Sequence, residues 1–427
     1  MHSTSLWSRL ALTAAVTFAS FVRATSSSSS SDRPIVAQYW AAYGGQSPTA
    51  STVDWQPNDL AYYFVTVTTA DGFELPEGQS VDQLGEFVQH TKGRGARPVF
   101  SVGGWSGSAH FSNLVKTEAG RRAFAKSLDG FMNEHEFVGI DLDWEYPNAA
   151  GIGCNAISPD DSANFVLFLK ELRSLIGKDK LITAAVSVGG INGPDGSALA
   201  SFAEFGALFD YINLMTYDIS GSFSSVTGPN SPLRTCKSDS SVQAAVSLWT
   251  SRGFPREKIL LGIPAYAVSF TTTSSTLAKT EIGSYSSRIY QEWTKETPKG
   301  APGDSNAAYT DQCGTTSSGY SGQWQFNELI SNGILSEDGT KGLGGYERIW
   351  DQCSETPFLF NSDTRELIVY DDAKSAGIKA AYARSEGLGG VMIFDTRGFA
   401  DTDVVTSIRQ NLTSRRCRRH QKTRRRA

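Results

Sequence analysis

Three acidic residues alternate along a short apolar stretch of this chain. Asp141, Asp143 and Glu145 are separated by Leu142 and Trp144. Successive side chains of a β-strand point to opposite faces, so the three carboxyls would share one face and the apolar residues the other. Carboxyls stacked in an apolar interior repel one another and lose hydration, and both effects favour retention of a proton. We therefore expect at least one of these acids to stay protonated near neutral pH.

The position of Glu145 suits it to donate such a proton. It lies nearest the carboxyl end of the predicted strand, where a substrate would bind. Glycosidic cleavage needs this donor, because the leaving oxygen must be protonated as the bond breaks. A calcium site and a solvated acidic edge strand are the alternatives, and the apolar residues between the acids disfavour an exposed strand.

Eight short β-rich runs recur along the chain, each followed by room for a helix. This alternation is typical of parallel βαβ architecture, and eight units favour a closed (β/α)8 TIM barrel of the α/β class over an open sheet. Helices are predicted after Ser158-Pro159 and over residues 371–386. The acids fall on the fourth run; the runs begin at Ile35, Leu60, Arg97, Val138, Leu181, Tyr211, Ile259 and Gly389.

The connection between the seventh and eighth runs is much longer than the others. A structureless loop spanning residues 267–370 would be unusual in a compact domain. We predict a small α+β insertion domain on the C-terminal rim of the barrel, where the active-site loops of this architecture gather. A separately tethered domain is the alternative, although no linker-like composition flanks the segment. Residues 34–266 and 371–412 would then form the catalytic barrel.

The two ends of the chain differ in composition from the rest. Residues 1–24 combine Arg9, an apolar run too short to span a bilayer and small residues before a cleavage point, which predicts a signal peptide rather than a membrane anchor. A Ser-rich leader is expected over residues 25–33 and a basic disordered tail over 413–427. We therefore expect a secreted, extracellular protein, with a glycosylation sequon at Asn411.

The charge distribution limits the partners of the protein. The formal net charge is -5, and eight of the 39 Lys and Arg residues lie after Ser414, so the rest of the chain is more acidic still. Phosphate binding needs a basic face, which excludes nucleic acid as a main partner. No membrane association is expected, and we predict a monomer.

Five cysteines are present, and cystine is their default state in a secreted protein. Their spacings match no zinc pattern, so neither a metal nor another cofactor is expected. Cys417 lies in the basic tail and would be the unpaired one. We predict a bond between Cys313 and Cys353 inside the insertion. A second bond is predicted between Cys154 and Cys236 across the barrel rim, although the sequence permits other pairings.

The acidic stretch resembles the DxxDxDxE signature of glycoside hydrolase family eighteen, the chitinases and their relatives. Residues 101–105 (SVGGW) resemble the family's SxGGW element, residues 215–218 (MTYD) its MxYD element, and residues 262–266 (GIPAY) its seventh strand. The likeness runs in order over about residues 35–412. It implies a chitinase that hydrolyses β-1,4-linked N-acetylglucosamine in chitin and chitooligosaccharides.

The resemblance also implies a retaining, substrate-assisted mechanism. The acetamido carbonyl of the substrate would attack the anomeric carbon to give an oxazolinium ion, with Glu145 as general acid and base. Asp143 would accept the acetamido N–H and share a proton with Asp141. Tyr217 would hold the acetamido carbonyl, and Asp218 would influence Glu145 through its charge.

Sugar rings present apolar faces that stack on aromatic side chains, and rings at strand ends are candidates for this contact. Two departures from the family pattern concern this substrate site. Val138 replaces the first signature Asp, and Phe394 replaces the tryptophan that floors the cleavage subsite. The candidate substrate-binding residues are Tyr39, Phe64, Gly104, Trp105, Tyr146, Met215, Tyr266 and Phe394.

Two other functions remain open on the same barrel. One is a chitin-binding lectin, which the presence of Glu145 disfavours. The other is an endo-β-N-acetylglucosaminidase acting on N-glycans. The insertion domain favours chitin over N-glycans, because it would wall a deep cleft for a linear chain.

Overall fold

The computed structural model describes residues 33–43 and 48–414. Its strands in chain order are β1 (Ile35–Ala41), β2 (Leu60–Thr69), β3 (Gly72–Glu74), β4 (Arg97–Gly103), β5 (Gly139–Asp143), β6 (Leu181–Ser187), β7 (Tyr211–Met215), β8 (Ile259–Pro264), β9 (Tyr266–Thr271), β10 (Thr280–Ile282), β11 (Tyr285–Ser287), β12 (Tyr309–Thr310), β13 (Thr316–Ser317), β14 (Gln323–Gln325), β15 (Tyr346–Asp351), β16 (Thr356–Asn361), β17 (Glu366–Val369) and β18 (Gly390–Phe394). Its helices are α1 (Val81–Gly93), α2 (Phe111–Val115), α3 (Glu118–Glu134), α4 (Asp161–Ile176), α5 (Ala203–Leu208), α6 (Val242–Ser251), α7 (Phe326–Ser331), α8 (Ala373–Glu386) and α9 (Val404–Thr413).

Eight parallel strands close into a barrel. Their order is β1-β2-β4-β5-β6-β7-β8-β18, and β18 pairs with β1, so every barrel strand has two neighbours. The acidic strand β5 pairs with β4 on one side and β6 on the other. The predicted (β/α)8 barrel is confirmed, and the alternative of a solvated edge strand is wrong.

The apolar residues of the acidic stretch hold this part of the barrel against its helices. Ile140 and Leu142 are fully buried in the apolar layer between strands and helices. Trp144 stacks on Phe111 with ring centroids 5.2 Å apart and meets the edge of Phe165 at 5.3 Å. Fully burying a large apolar side chain contributes about 1.5–3 kcal/mol. The outward residues thus fix which face of β5 turns its acids into the barrel.

Both predicted helices form, with boundaries that follow their caps. Helix α4 begins at Asp161, later than the Ser158-Pro159 signal suggests, because the Asp161 carboxylate accepts the Ser158 N–H at 3.0 Å and holds that segment as a turn. Helix α8 begins after Asp372, whose carboxylate caps its first turn, and ends at Gly387, where φ is +69°. Glycine adopts this left-handed conformation without strain.

The long connection between β8 and β18 folds into an α+β unit. Its main sheet is antiparallel in the order β14-β9-β17-β16-β15, and α7 follows β14. Where this unit returns to the barrel, Lys379 of α8 donates to Asp371 at 2.6 Å, and both side chains are buried. A buried charge is tolerated only when it is paired in this way.

The two disulfide bonds correct the predicted pairing. Cys154 bonds to Cys313 and Cys236 to Cys353, with Cα–Cα distances of 5.4 and 6.0 Å that suit disulfide geometry. The predicted bond inside the insertion and the bond across the barrel rim are therefore wrong. Cys313, in the β12–β13 turn, lies against the loop after β5, whereas Cys353, in the β15–β16 turn, lies against the loop after β7. Each insertion cysteine consequently faces a barrel loop rather than the other insertion cysteine.

Several predictions about the chain ends are not tested by the fold. The described part excludes residues 1–32 of the predicted signal peptide and leader, residues 415–427 of the predicted tail, and Cys417. Asn411 lies in α9, where its side-chain amide donates to the main-chain oxygen of Ser407 at 2.9 Å. Its glycosylation stays a prediction. None of the described helices combines the length and the apolar character needed to cross a membrane.

Non-reducing peptide mapping should recover one peptide pair that joins Cys154 to Cys313 and another that joins Cys236 to Cys353. Replacing both cysteines of either bond by serine should lower the free energy of unfolding by about 2–5 kcal/mol, because the unfolded chain regains conformational entropy. Cys417→Ser is the matched control and should leave both linked peptides unchanged. Recovery of a Cys154–Cys236 peptide from the native protein would contradict the structure.

Candidate active site

Asp141 lies at the base of the site and is saturated with hydrogen bonds. It is fully buried. One carboxylate oxygen accepts from the hydroxyls of Tyr39 and Ser101, both at 2.8 Å. The other accepts from Thr183 at 2.6 Å and from the Asn213 amide at 3.1 Å. Burial raises the pKa of Asp141, and these four hydrogen bonds work against that rise by stabilising the carboxylate.

Asp143, two residues further along β5 toward the cleft, has fewer hydrogen bonds than Asp141. Its side chain is buried, and Oδ1 has no hydrogen-bond partner among the residues that the structure describes. Burial raises its pKa well above the usual range, and the charges of Glu145 and Asp141 raise it further. The implied proton sharing with Asp141 is not present as a hydrogen bond in the described structure, because four other donors occupy the Asp141 oxygens. Burial therefore favours the protonated form more strongly for Asp143 than for Asp141, whose carboxylate is stabilised by its four donors.

Glu145 lies at the entrance of the acidic row, where it reaches the cleft. Its pKa is raised to about 7, and burial is the largest cause of the rise. The hydrogen bond from the Tyr146 hydroxyl opposes the rise, and the charge of Asp218 adds to it. The Glu145 main-chain N–H donates to Ser108 Oγ at 3.1 Å. A carboxyl with a pKa near 7 is protonated in a large share of molecules at neutral pH and can act as a general acid there.

Tyr217 and Asp218 follow β7 and face the same acids. The Tyr217 ring packs beside Phe394, with centroids 5.9 Å apart, and burial together with the charges of neighbouring carboxyls raises its pKa well above the usual range. The Tyr217 hydroxyl consequently stays protonated and can donate a hydrogen bond. Asp218 accepts the Tyr266 hydroxyl at 2.5 Å, while its N–H donates to Asn230 Oδ1 at 2.8 Å.

These residues border an open cleft of about 870 Å³. Among the predicted substrate-binding residues, Phe64, Gly104, Trp105, Tyr146, Met215 and Phe394 line it, with Tyr39 at its base. At Gly104, φ is +79° and an added Cβ would lie 3.1 Å from the Phe64 ring, so this position favours glycine. Trp105 is 50% exposed and offers an open ring face at the rim.

Two predicted stacking residues have another role in the structure. Tyr39 is 1% exposed, and Tyr62 covers its ring at a centroid distance of 4.5 Å, so no face remains for a sugar. Its hydroxyl instead donates to Asp141. Tyr266 does not line the cleft and donates to Asp218. Tyr39 lies within β1 and Tyr266 just after β8, and both turn their hydroxyls toward carboxylates rather than their ring faces toward the cleft.

Several residues of the site were not predicted from the sequence. Phe223 lies on the loop after β7, lines the cleft and is 72% exposed. Its position shortly after the MTYD element is a signal that could have identified it. Val268, Ser321 and Gln323 bring the insertion to the cleft wall, and nothing in their local sequence marks them. Within the described ranges, no group of three or more His, Cys, Asp or Glu side chains is arranged to hold a metal ion.

The sequence and the fold of this chain are similar to those of known proteins. The chain is 34% identical over 380 residues to a chitinase-like effector of Moniliophthora roreri, covering 88% of this chain and 92% of that protein. It is 28% identical to Chitinase A1 of Niallia circulans, covering 80% of this chain and 46% of that one. A crystal structure of a chitinase from Rhizomucor miehei superimposes with a TM-score of 0.78 at 27% identity, covering 88% and 99% of the two chains. The model of glycosyl hydrolases family 18 matches residues 35–398, and the chain therefore belongs to that family.

Proposed function

We propose that the protein is a secreted chitinase that cleaves β-1,4-linked N-acetylglucosamine chains with retention, using Glu145 as general acid and base. The observation that carries this proposal is the row of buried acids whose last member, Glu145, faces the cleft. Burial raises the pKa of Glu145 to about 7 and that of Asp143 well above its usual range. Membership of a chitin-hydrolysing glycosidase family supports it. The two disulfide bonds support secretion, because such bonds persist in oxidising compartments.

In the proposed reaction the acetamido group of the substrate is the nucleophile. Glu145 donates its proton to the leaving glycosidic oxygen while the acetamido carbonyl oxygen bonds to the anomeric carbon, and the bond to the leaving sugar breaks. The resulting oxazolinium ion is opened by water, which Glu145 deprotonates as it adds to the anomeric carbon. Two displacements at one carbon give overall retention.

Asp143 and Tyr217 are placed to hold the acetamido group. The unpartnered Asp143 Oδ1 is a buried acceptor that suits the acetamido N–H, and the protonated Tyr217 hydroxyl suits its carbonyl oxygen. Holding the nucleophile in attacking geometry lowers the entropic part of the barrier. Asp143 ends β5 and Glu145 follows two residues later, so both acids lie on one side of the sugar, while Asp218 is engaged by Tyr266. This arrangement favours a nucleophile supplied by the substrate over one supplied by the protein.

The shape of the cleft favours a linear polymer as substrate. The exposed rings of Trp105 and Phe223 extend the lining beyond the acids, and the insertion supplies a wall through Gln323. Val138 does not weaken this proposal, because it precedes β5 and lies three residues before Asp141, where its N–H donates to the Pro98 oxygen at 2.9 Å. An endo-β-N-acetylglucosaminidase remains the alternative enzyme, and relative turnover of glycoprotein and chitooligosaccharide distinguishes the two.

A chitin-binding protein without hydrolysis is the second candidate function. One observation favours it: two relatives that are 34% and 33% identical to this chain are named chitinase-like effectors. The retained Glu145 and its raised pKa favour hydrolysis. Release of reducing ends from colloidal chitin by the wild-type protein decides between them.

Incubation with the N-acetylglucosamine hexamer should yield shorter oligomers, whose lengths report the direction of cleavage and the number of subsites. Glu145→Gln should bind the hexamer as the wild type does but lose ~10²-fold or more in kcat, because the amide cannot donate the proton. Unchanged thermal unfolding of the variant is the control for its fold. A variant that keeps wild-type kcat would refute Glu145 as the acid.

Partly deacetylated chitin should yield products whose new reducing ends are almost all N-acetylated. A glucosamine unit at the cleavage subsite lacks the carbonyl that attacks, so it can bind without reacting. Mass-spectrometric sequencing of the products measures this. Glucosamine found freely at new reducing ends would show that the acetamido group is not the nucleophile.

Glu145→Gln should also stabilise the protein, by an amount that depends on pH. The pKa of Glu145 is about 7 when folded and has its usual lower value when unfolded, so ionisation destabilises the folded state as pH rises between these values. The gain in Tm should be absent at pH 4, grow up to pH 7 and reach roughly 2 °C or more above it. Glu337→Gln, the same change on an exposed side chain, is the control. An equal pH dependence in both variants would contradict the raised pKa.

A further inference from the structure

Two side chains hold the main chain of Glu145, one at its N–H and one at its carbonyl oxygen. Its N–H donates to Ser108 Oγ at 3.1 Å, on the loop after β4. Its carbonyl oxygen accepts from Asn155 Nδ2 at 2.7 Å, on the loop between β5 and α4. A main-chain segment fixed at both its N–H and its carbonyl has little freedom to move. The side chain that it carries is correspondingly fixed in the cleft.

Asn155 makes this contact at a cost in stability. Its side chain is 6% exposed, and its Oδ1 has no hydrogen-bond partner among the described residues. A buried polar atom without a partner costs about 1–3 kcal/mol. An added Cβ at Gly151 would lie 2.3 Å from both Asn155 Nδ2 and the Glu145 oxygen, so glycine is needed there for the amide to reach. Both costs are understandable if the contact with Glu145 serves the reaction.

The neighbours of Asn155 are anchored on either side. Cys154 is bonded to Cys313 in the insertion. The Ala156 N–H donates to the Ala109 oxygen at 2.9 Å, which ties the other side to the loop after β4. Strands β12 and β13 of the hairpin that carries Cys313 are exposed, whereas Cys313 itself, in the turn between them, is half-buried. The disulfide therefore joins the insertion covalently to the segment that contains Asn155.

We propose that Asn155 is a positioning residue for the general acid and that the Cys154–Cys313 disulfide keeps Asn155 in place. This inference rests on the proposed function, because it takes Glu145 as the acid. Asn155 lies outside the cleft lining and acts only through the Glu145 main chain. It holds the carboxyl at the depth where the carboxyl is desolvated enough to keep its proton.

The direction of the effect follows from the groups around the Glu145 carboxyl. Asp143, Tyr146, Tyr217 and Asp218 face it, and burial is the largest cause of its raised pKa. Loosening the main chain lets the carboxyl move toward water, which lowers its pKa. The pH at which the rate falls, because the acid has lost its proton, then also moves down.

The first test compares Asn155→Ala with Asn192→Ala. Asn192 donates its side-chain amide to the Pro147 carbonyl at 3.1 Å, so the control removes a similar hydrogen bond from the same loop two residues beyond Glu145. With a fluorogenic chitotrioside, Asn155→Ala should lower kcat by about 10-fold or more, with little change in KM, because a misplaced acid acts only in the transition state. In the pH profile of kcat, the alkaline limb, where the rate falls as the acid loses its proton, should move to lower pH. Asn192→Ala should keep the wild-type limb.

Asn155→Asp gives a test that does not depend on a smaller side chain being tolerated. A protonated aspartic acid can donate to the Glu145 carbonyl oxygen, whereas an ionised one presents only acceptors and repels it. The activity of this variant relative to wild type should therefore recover as pH falls. A purely structural role for Asn155 predicts a loss that is the same at every pH.

The disulfide is tested by two matched double variants. Cys154→Ser with Cys313→Ser should lower kcat by about 3-fold or more and shift the alkaline limb in the same direction as Asn155→Ala. Cys236→Ser with Cys353→Ser removes the other bond between insertion and barrel, which is remote from Asn155 in the chain. It should lower Tm without moving the limb.

The outcomes separate this inference from the proposed function. A limb that moves in Asn155→Ala and in the Cys154/Cys313 variant, but not in their controls, supports it. Equal kcat and equal limbs in Asn155→Ala and Asn192→Ala would overturn it, as would a pH-independent loss in Asn155→Asp. If Glu145→Gln is inactive while Asn155→Ala behaves like wild type, only this inference fails. An active Glu145→Gln would instead refute the proposed function.

Discussion

The burial of three carboxyl groups along β5 and the two residues after it is the constraint on which the rest of the molecule depends. Water is excluded from the base of the barrel, so each acid must either accept hydrogen bonds that stabilise its charge or keep its proton. Asp141 takes the first course through four donors. Burial raises the pKa of all three acids, and at Asp143 and Glu145 fewer hydrogen bonds oppose the rise. A fully hydrogen-bonded acid and a proton donor thus lie within five residues of chain.

The strands and the loops position these acids in different ways. The strands set the spacing and direction of the acids, because β5 is locked between two parallel neighbours. The loops at the carboxyl ends set the final depth of each group, as the contacts of Ser108 with Glu145 and of Tyr266 with Asp218 show. The barrel strands therefore place the acids, and the rim loops set their final positions.

Sequence patterns predicted the parts of the site that depend on strand periodicity. The alternation of acids with Ile140 and Leu142 is enough to fix which side of β5 faces inward, and the eight strands follow from repeated β-rich runs. The orientation of Tyr39 did not follow from its place in β1, because position along a strand does not determine whether a ring turns its face or its hydroxyl to the cleft. Asn155 was missed because loop residues have no period. Its contact arises only when the chain folds back on Glu145.

The cysteine pairing was unpredictable for a related reason, and it has a consequence for biosynthesis. The partners interleave along the chain, since Cys236 lies between Cys154 and Cys313, and Cys313 lies between Cys236 and Cys353. During vectorial synthesis the first two thiols to emerge are thus not partners of each other. Any early oxidation between them must be undone by thiol–disulfide exchange after the insertion has been translated. Yield of the native protein should accordingly depend on the isomerase capacity of the compartment in which it is made.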